Sequence, residues 1–355
     1  METLTADDIE ALCLGATLLG AGGGGDPYIA KLVAHQALEE YGPVEVIDAA
    51  DLDPEALVLT TAIIGAPTVI LEKIPAGTEF VASVRALASY LGSEPAAIMP
   101  IEVGGLNTLL PIATAAEMGL PIVNADSMRR AFPQIEMTVF TLAGLPAGPL
   151  AVADEKGNQC VFETTTNQVA ETLARTAVIQ LGLANSISCY PLRAAQIVEH
   201  AIQGSLTYCT EIGRGLEAVK NGETDAWARF LDGSGSQAFF TGKVIDLNRR
   251  TTDGFAKSTV ILEDLDGTDS TMRIEVQNEN LVAFLDGEPV ITTPNLICML
   301  DHETYDPVTT EHIAYGNRVI VIGMPCAPEW HRAGMLDLVG PRAFGYDVDF
   351  VELSQ

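Results

Sequence analysis

Residues 18–29 read Leu18-Leu19-Gly20-Ala21-Gly22-Gly23-Gly24-Gly25-Asp26-Pro27-Tyr28-Ile29, and five of them are glycine. Glycine has no Cβ, so the backbone here can take positive φ and approach another group closely. Asp is a favoured N-cap and Pro suits the first helical position, which predicts a helix beginning at Pro27. A glycine loop at the positive end of a helix can hold an anion or a polar small molecule on its N–H groups. We therefore predict a binding site formed by Gly22, Gly23, Gly24, Gly25 and Asp26. A tight corner between two helices is the alternative, because it also needs small residues.

The same stretch matches G-x-G-x-x-G at Gly20, Gly22 and Gly25, with Asp48 downstream, which is the pattern of dinucleotide-binding proteins. That pattern requires a strand before the glycines. Residues 5–19 instead carry apolar side chains at helical spacing after a capping-box-like Thr5-x-x-Asp8. We therefore prefer a binding site for another kind of small molecule over the dinucleotide site of a nicotinamide-dependent oxidoreductase.

Length and composition limit the class of protein. The chain has 355 residues, which predicts two domains, placed at 1–166 and 167–355. Apolar residues make up 48% of it and mean hydropathy is +0.23, so a large core is expected. No apolar run reaches membrane-spanning length and the N-terminus lacks the basic start of a signal peptide, so we expect a cytoplasmic protein. The formal charge of −29 opposes binding to nucleic acid or to anionic membranes.

The first part of the chain alternates predicted strands with predicted helices. The strands are at 44–47, 56–64, 96–102 and 121–126. One helix, at 27–40, precedes them, and two others, at 79–91 and 107–118, lie between them. This alternation predicts an α/β domain with a mainly parallel sheet. Later come helices at 167–181, 192–202 and 205–220, then short β-rich runs separated by Asp-Gly pairs at 253–254, 266–267 and 286–287. The second domain is therefore predicted to be β-rich α+β.

Acidic residues follow two predicted strands, where ligands of parallel sheets bind. Glu102 and Asp126 are at those ends, and Pro133 is expected to turn Glu136 back toward the sheet. Carboxylates of this kind work as acid and base or ligate a divalent metal, and we assign catalytic roles to Glu102, Asp126 and Glu136. The neighbouring pair Arg129-Arg130 suggests capture of a substrate anion by Arg129, or else a solvated surface turn.

Two further groups of residues are candidates for chemistry. Residues 275–280 interrupt a β-rich region with consecutive polar side chains, which indicates a bulge or an interface. Asn278 and Glu279 are expected to reach the cleft between the domains, and a solvent-facing edge is the alternative. The densest group of soft metal ligands is Cys298, His302, His312, Cys326 and His331. Scattered surface His and core Cys residues are the alternative for this group. G-x-S-x-G, S-x-x-K and P-loop sequences are absent, which disfavours the common serine hydrolases and phosphoryl transferases.

Four stretches together resemble the S-methyl thiohydantoin desulfurase family along essentially the whole chain. They are Leu-Leu-Gly-Ala-Gly-Gly-Gly-Gly-Asp-Pro-Tyr (18–28), Glu-Val-Gly-Gly-Leu-Asn (102–107), the segment 119–137 containing Arg-Arg-Ala-Phe-Pro, and Val-Gly-Pro-Arg-Ala-Phe-Gly-Tyr-Asp (339–347). The resemblance implies an α/β N-terminal domain and a β-rich C-terminal domain. It also implies a role in the breakdown of thiohydantoins or related cyclic ureides, in some cases beside a hydantoinase-type enzyme. One branch looks like metal-dependent desulfhydrases of ergothioneine degradation, which act on a 2-thioxo-imidazolidinone propionate.

We therefore predict a metal-assisted hydrolytic desulfurase, a homo-oligomer, with zinc or cobalt as the divalent metal. Water activated by the metal would attack the C=S carbon and release sulfide. Asn107, in the second of the four stretches, joins the predicted substrate-binding residues. A metabolite-binding partner of a hydantoinase and a dinucleotide-dependent oxidoreductase are the alternatives.

Overall fold

The computed structural model of the chain describes residues 2–65, 69, 75–252, 255–265 and 267–353. Its α-helices are α1 (Ile9–Leu19), α2 (Tyr28–Tyr41), α3 (Thr78–Leu91), α4 (Leu110–Met118), α5 (Val139–Leu142), α6 (Asn167–Gln180), α7 (Ala194–His200), α8 (Ser205–Lys220), α9 (Ala226–Ser234) and α10 (Met335–Val339). Short 3-10 helices are found at Ala6–Asp8, Ala49–Asp51, Gly105–Thr108, Pro328–Trp330 and Pro341–Phe344.

The strands are β1 (Thr3–Leu4), β2 (Val44–Ile47), β3 (Leu57–Gly65), β4 (Ala97–Pro100), β5 (Ile122–Val123), β6 (Ala125–Asp126), β7 (Leu150–Ala153), β8 (Gln159–Phe162), β9 (Ala184–Ser188), β10 (Leu192–Arg193), β11 (Ile202–Gln203), β12 (Gln237–Thr252), β13 (Phe255–Asp264), β14 (Thr271–Gln277), β15 (Glu279–Leu285), β16 (Glu288–Thr292), β17 (Leu296–Asp301) and β18 (Arg318–Met324).

The N-terminal sheet is mixed, with the order β1-β2-β5-β4-β3-β9-β7-β8 and β10 beside β3. The strands β2, β5, β4 and β3 run parallel, as predicted. Antiparallel strands then extend the sheet. Strand β9 pairs antiparallel with both β3 and β7, and β7 pairs antiparallel with β8, to which a short turn joins it. The prediction of a mainly parallel sheet therefore describes only one part of it. Since β9, β10 and β11 follow residue 166, the second half of the chain completes sheets that the first half begins.

The glycine stretch follows a helix. Thr5 and Asp8 form the predicted capping box, with the Asp8 carboxylate accepting from Thr5 N at 3.1 Å, and α1 then runs to Leu19. Helix α1 is the element that leads into Gly20, so the G-x-G-x-x-G match is not the strand-turn-helix of a dinucleotide site. Helix α2 begins at Tyr28, one residue later than predicted, and its first amide is capped by Asp26 Oδ1 at 2.8 Å.

The C-terminal half forms a seven-stranded antiparallel sheet in the order β16-β15-β14-β13-β12-β18-β17. The pairing of β14 with β15 shifts between Glu275 and Val276, because β15 has one extra residue, Leu281, directly after the predicted polar interruption. Asp286 and Gly287 have positive φ between β15 and β16, as an Asp-Gly hairpin turn requires. The Asp-Gly pair at 253–254 and Asp266 lie outside the described residues.

Helix α1 is packed against α8 closely enough that glycine is required on both. An added Cβ would lie 1.9 Å from the Cys209 carbonyl oxygen at Gly15 and 1.7 Å from the Ala11 carbonyl oxygen at Gly213. Both helices contribute to one apolar core that includes Leu12, Leu206 and the β17 residue Cys298. None of the helices in the described part of the chain combines the length and apolar character that a membrane span requires.

Replacing Gly213 with alanine is expected to destabilise the protein by about 3 kcal/mol, because two backbones must separate to admit one methyl group. The control is Gly233→Ala on α9, where an added Cβ meets nothing within 4 Å. That control is expected to be neutral or to raise stability by up to about 1 kcal/mol, since alanine favours a helix over glycine. Thermal unfolding of both variants tests this, and equal melting temperatures would contradict the close-packing account.

Candidate functional site

A cavity of about 100 Å³ lies beyond the carboxyl ends of β3 and β4 and is closed by the start of β15. Its apolar wall includes Ile63, Met128 and Phe132. Its polar lining residues include Glu102, Asn107, Gln134, Glu171, Arg175, Asn278 and Glu279. The structure therefore brings together four predicted side chains, and the backbone of Gly24 joins them.

The glycine stretch connects this cavity to the C-terminal sheet. Asn280 N donates to the Ala21 carbonyl at 2.9 Å, Thr310 N to the Gly22 carbonyl at 2.7 Å, and Leu106 N to the Gly24 carbonyl at 3.0 Å. A Cβ at Gly23 would lie 2.3 Å from Glu279 Oε1. Bare backbone is therefore needed where the loop meets Glu279.

Glu102 is held by groups from two segments. Asn107 Nδ2 donates to Glu102 Oε1 at 2.7 Å, and the Phe132 amide also donates to this carboxyl. Asn107 is itself fixed by β3, because its Oδ1 accepts from Ile63 N at 2.7 Å and its Nδ2 donates to the Ile63 carbonyl at 3.1 Å. Asn107 thus orients Glu102 relative to the edge of the sheet.

Glu279 is the second buried carboxyl of the cavity, 2% exposed, and it accepts from the Gly24 amide. Its Oε2 has no partner among the described residues. Burial raises the pKa of Glu102 to about 8, and burial together with the Glu102 charge raises the pKa of Glu279 to about 8. Because each ionised carboxyl disfavours the other, the two titrate as a pair that retains a proton at neutral pH.

Arg130 supplies positive charge behind this pair. Its side chain is fully buried, and its Nη1 donates to the carbonyls of Pro294 and Asn295 at 2.8 and 2.9 Å. Its guanidinium also lies 4.3 Å from the centre of the Phe132 ring. The charges of Glu279 and Glu102 act to keep it protonated, although burial lowers its pKa to about 10. Arg130 therefore favours the ionised form of each carboxyl, but burial outweighs it and both pKa values stay near 8.

Other predicted residues lie outside the cavity. Asp126 is fully buried and accepts from Val103 N at 2.7 Å, Arg129 N at 2.6 Å and Ser205 Oγ at 2.6 Å, so it holds the loops together. Arg129 points to a separate groove, where its side chain bonds the Gln203 carbonyl and stacks 5.0 Å from the Tyr208 ring. Glu136 lines a different pocket. Asp26 caps α2 and lies 3.8 Å from His312 Nε2.

The five candidate metal ligands are not assembled into one site. Cys298 donates to the Leu18 carbonyl at 3.2 Å within the first core, whereas Cys326 belongs to the second core and lies 3.7 Å from His331 Nε2. His302 follows β17, and His312 neighbours Asp26. Among the described residues, no three His, Cys, Asp or Glu side chains are grouped to hold a metal ion. These residues do not fit the predicted zinc or cobalt, so we derive no catalytic step through a metal.

Sequence reasoning missed Arg175 and Glu171, which line the cavity from α6 and form an ion pair one helical turn apart. Glu171 Oε2 also accepts from Ile135 N at 3.1 Å, and Arg175 donates to the Pro133 carbonyl at 3.2 Å. The signal available in the sequence was the i,i+4 Glu-Arg spacing, which is also common on solvated helices. Cys189 lies in the same wall, buried beside Thr60.

The cavity can therefore carry out acid and base chemistry on a small ring. Two carboxyls with pKa values near 8 supply a proton donor at neutral pH, and whichever of them is ionised supplies an acceptor. Backbone, amide and apolar groups around it are suited to a flat molecule with N–H and C=O edges.

Two family models together match nearly the whole chain. Residues 7–164 match the family model of the S-Me-THD-like N-terminal domain, and residues 165–353 match that of the S-Me-THD-like C-terminal domain. A crystal structure of a protein from Chromobacterium violaceum is similar over 100% of both chains, with a TM-score of 0.83 and 22% identity. At that identity the likeness shows the fold alone. A search among curated proteins found no match.

The raised pKa values predict a pH-dependent stability. The unfolded chain ionises these carboxyls near pH 4.5 and the folded chain only near pH 8, so the folded state binds more protons between those values and stability falls as pH rises. Glu279→Gln removes one buried charge and is expected to reduce that loss between pH 5 and 9 by about 2–4 kcal/mol. Denaturant unfolding at several pH values measures it, with the exposed Glu94→Gln as the control. Identical pH profiles for Glu279→Gln and the control would refute a raised pKa of the buried Glu279 carboxyl.

Proposed function

The chain belongs to the S-Me-THD-like family, and from this we propose that it is a hydrolytic desulfurase that releases sulfide from a small cyclic thioureide. A 2-thioxo-imidazolidinone (thiohydantoin) propionate is the proposed type of substrate. The observation that carries the proposal is the buried pair Glu102 and Glu279 in a cavity of ring size.

The proposed reaction exchanges the ring sulfur for oxygen. Water adds to the thiocarbonyl carbon, forming a C–O bond, while the π electrons of C=S move to sulfur. The ionised carboxyl of the pair takes a proton from the water and the protonated carboxyl gives one to sulfur. A second transfer, from the new hydroxyl to sulfur, uses the same pair. The C–S bond then breaks, so that H₂S leaves and a ring carbonyl remains.

The rest of the cavity has the chemistry to position such a ring. Asn107 and Asn278 present polar groups, while Ile63 and Phe132 provide apolar surface for the ring faces. We propose that Arg175 binds a carboxylate on the substrate, because it lines the cavity whereas Arg129 lies in another groove. Its partner Glu171 keeps the guanidinium in place before substrate arrives.

Purified protein is expected to release sulfide from thiohydantoin propionate without a second protein. Glu102→Gln and Glu279→Gln are each expected to lower kcat by about 100-fold or more, because each removes a proton-transfer group. The matched control is Glu79→Gln, which changes a carboxyl that is also buried but lies outside the cavity, and it is expected to keep activity.

A sulfide assay of the wild type, Glu102→Gln, Glu279→Gln and Glu79→Gln distinguishes the enzyme from a metabolite-binding protein. Full activity in both cavity variants would overturn the assigned chemistry. Tight binding of the ring without turnover, followed by activity only after a hydantoinase is added, would instead support a metabolite-binding partner.

A further inference from the structure

Helix α6 borders the cavity with one side and faces solvent with the other. Its residues Ala170, Ala174 and Val178 are buried in the second apolar core, and Glu171 lines the cavity. The exposed residues of the helix lie on the opposite side, since positions three and four apart share one face. We call this side the outer face of α6, and it is formed by Gln168, Val169, Thr172, Leu173, Thr176 and Ile179.

The outer face of α6 carries no charge, although large apolar side chains are exposed on it. Ile179 is 56% exposed and Val169 is 40% exposed. No exposed residue of α6 is ionisable. Among the described residues, each of the other helices with 11 or more residues, which are α1, α2, α3 and α8, exposes at least one ionisable side chain: Glu10, Glu39, Arg85 and Glu211 are examples. In a chain with 48 acidic residues, this uncharged apolar face has the character of an interface.

The uncharged surface continues beyond the start of the helix. Residues 137–153 contain no ionisable side chain. Gly144 and Pro146 of this segment are exposed, and they line one surface pocket together with Gln168. Glu136 lines the same pocket but is buried. The turn before β7 and the outer face of α6 therefore form neighbouring parts of one uncharged surface.

We propose that the outer face of α6 is the contact between two copies of this chain. The formal charge of −29 makes two copies repel each other, and the repulsion is weakest where the surfaces that meet have no charge. A basic partner would bind the acidic remainder of the surface more favourably than this face. A two-fold contact presents the same patch from both copies, so an uncharged patch meets an uncharged patch.

The spacing along α6 suits an antiparallel pair of helices. Val169, Thr172, Thr176 and Ile179 are alternately three and four residues apart, which is the spacing of a seam between two packed helices. These positions are symmetric about residue 174. In an antiparallel pair, Val169 therefore faces Ile179 of the partner subunit, and Thr172 faces the partner's Thr176. Glu171 and Arg175 remain with the cavity of their own copy.

Sedimentation analysis of the full chain tests this contact. At about 50 µM the wild type is expected to have twice the chain mass of 37.6 kDa. Thr176→Glu places two carboxylates in the seam and is expected to raise the Kd of the dimer at least about 100-fold. The control is Gln36→Glu, which adds the same charge at an exposed residue of α2 and is expected to leave the dimer intact. Higher salt is expected to strengthen the wild-type dimer, because it screens the repulsion between the copies.

A mixture of two variants tests the register. Thr172→Lys alone is also expected to dissociate the dimer, whereas mixing it with Thr176→Glu brings opposite charges face to face and is expected to restore dimers. A monomeric wild type, or a Thr176→Glu dimer as stable as that of the control, would overturn the proposal. Thr172→Lys decides the question if Thr176→Glu fails to fold, and a mixture no more dimeric than either variant would contradict the antiparallel register. Because mass is measured without substrate, the result does not depend on the proposed reaction.

Discussion

The approach of the glycine loop to Glu279 is the contact on which the rest of the site depends. At Gly23 any side chain would overlap the Glu279 carboxyl, and at Gly24 the amide donates to it. The same loop accepts hydrogen bonds from Asn280 and Thr310, so the C-terminal sheet and the N-terminal domain meet through bare backbone. This close fit removes water from Glu279, and the loss of water raises its pKa.

Burying two carboxyls beside each other opposes folding at neutral and alkaline pH, and the structure offsets this only in part. Asn107 and the Phe132 amide support Glu102, while Arg130 contributes a buried positive charge. An apolar pair in the same positions would be more stable, but it would have no proton to exchange. The two buried carboxyls therefore lower the stability of the fold but provide a proton donor and a proton acceptor within one small cavity. Such a loss of stability is common where buried groups carry out chemistry.

The sequence predicted the features that depend on local chemistry. The capping box at Thr5, the helix before the glycines, Glu102 beyond β4 and the polar interruption at Asn278 and Glu279 all follow from spacing and residue type. Features that depend on side-chain direction or distant pairing could not be predicted. Arg129 has a φ of 50°, so its side chain and that of Arg130 lie in different surroundings. Asp126 accepts a hydrogen bond from Ser205, which belongs to a helix much later in the chain. Cys298 and Cys326 are divided between two cores by the path of β17 and β18, whereas His302, His312 and His331 are exposed, which is the alternative of core Cys and surface His residues.

The central claim is that Glu102 and Glu279 are buried carboxyls that are mainly protonated in the folded protein at neutral pH, because each has its pKa raised to about 8. Infrared difference spectroscopy of the protein with ¹³C-labelled glutamate, wild type against Glu279→Gln, observes this directly. The account predicts a protonated-carboxyl band at pH 7 in the wild type that is lost as pH rises through about 8 and is altered in the variant. A wild-type spectrum with only ionised carboxylates at pH 7, or a band unaffected by the substitution, would contradict it.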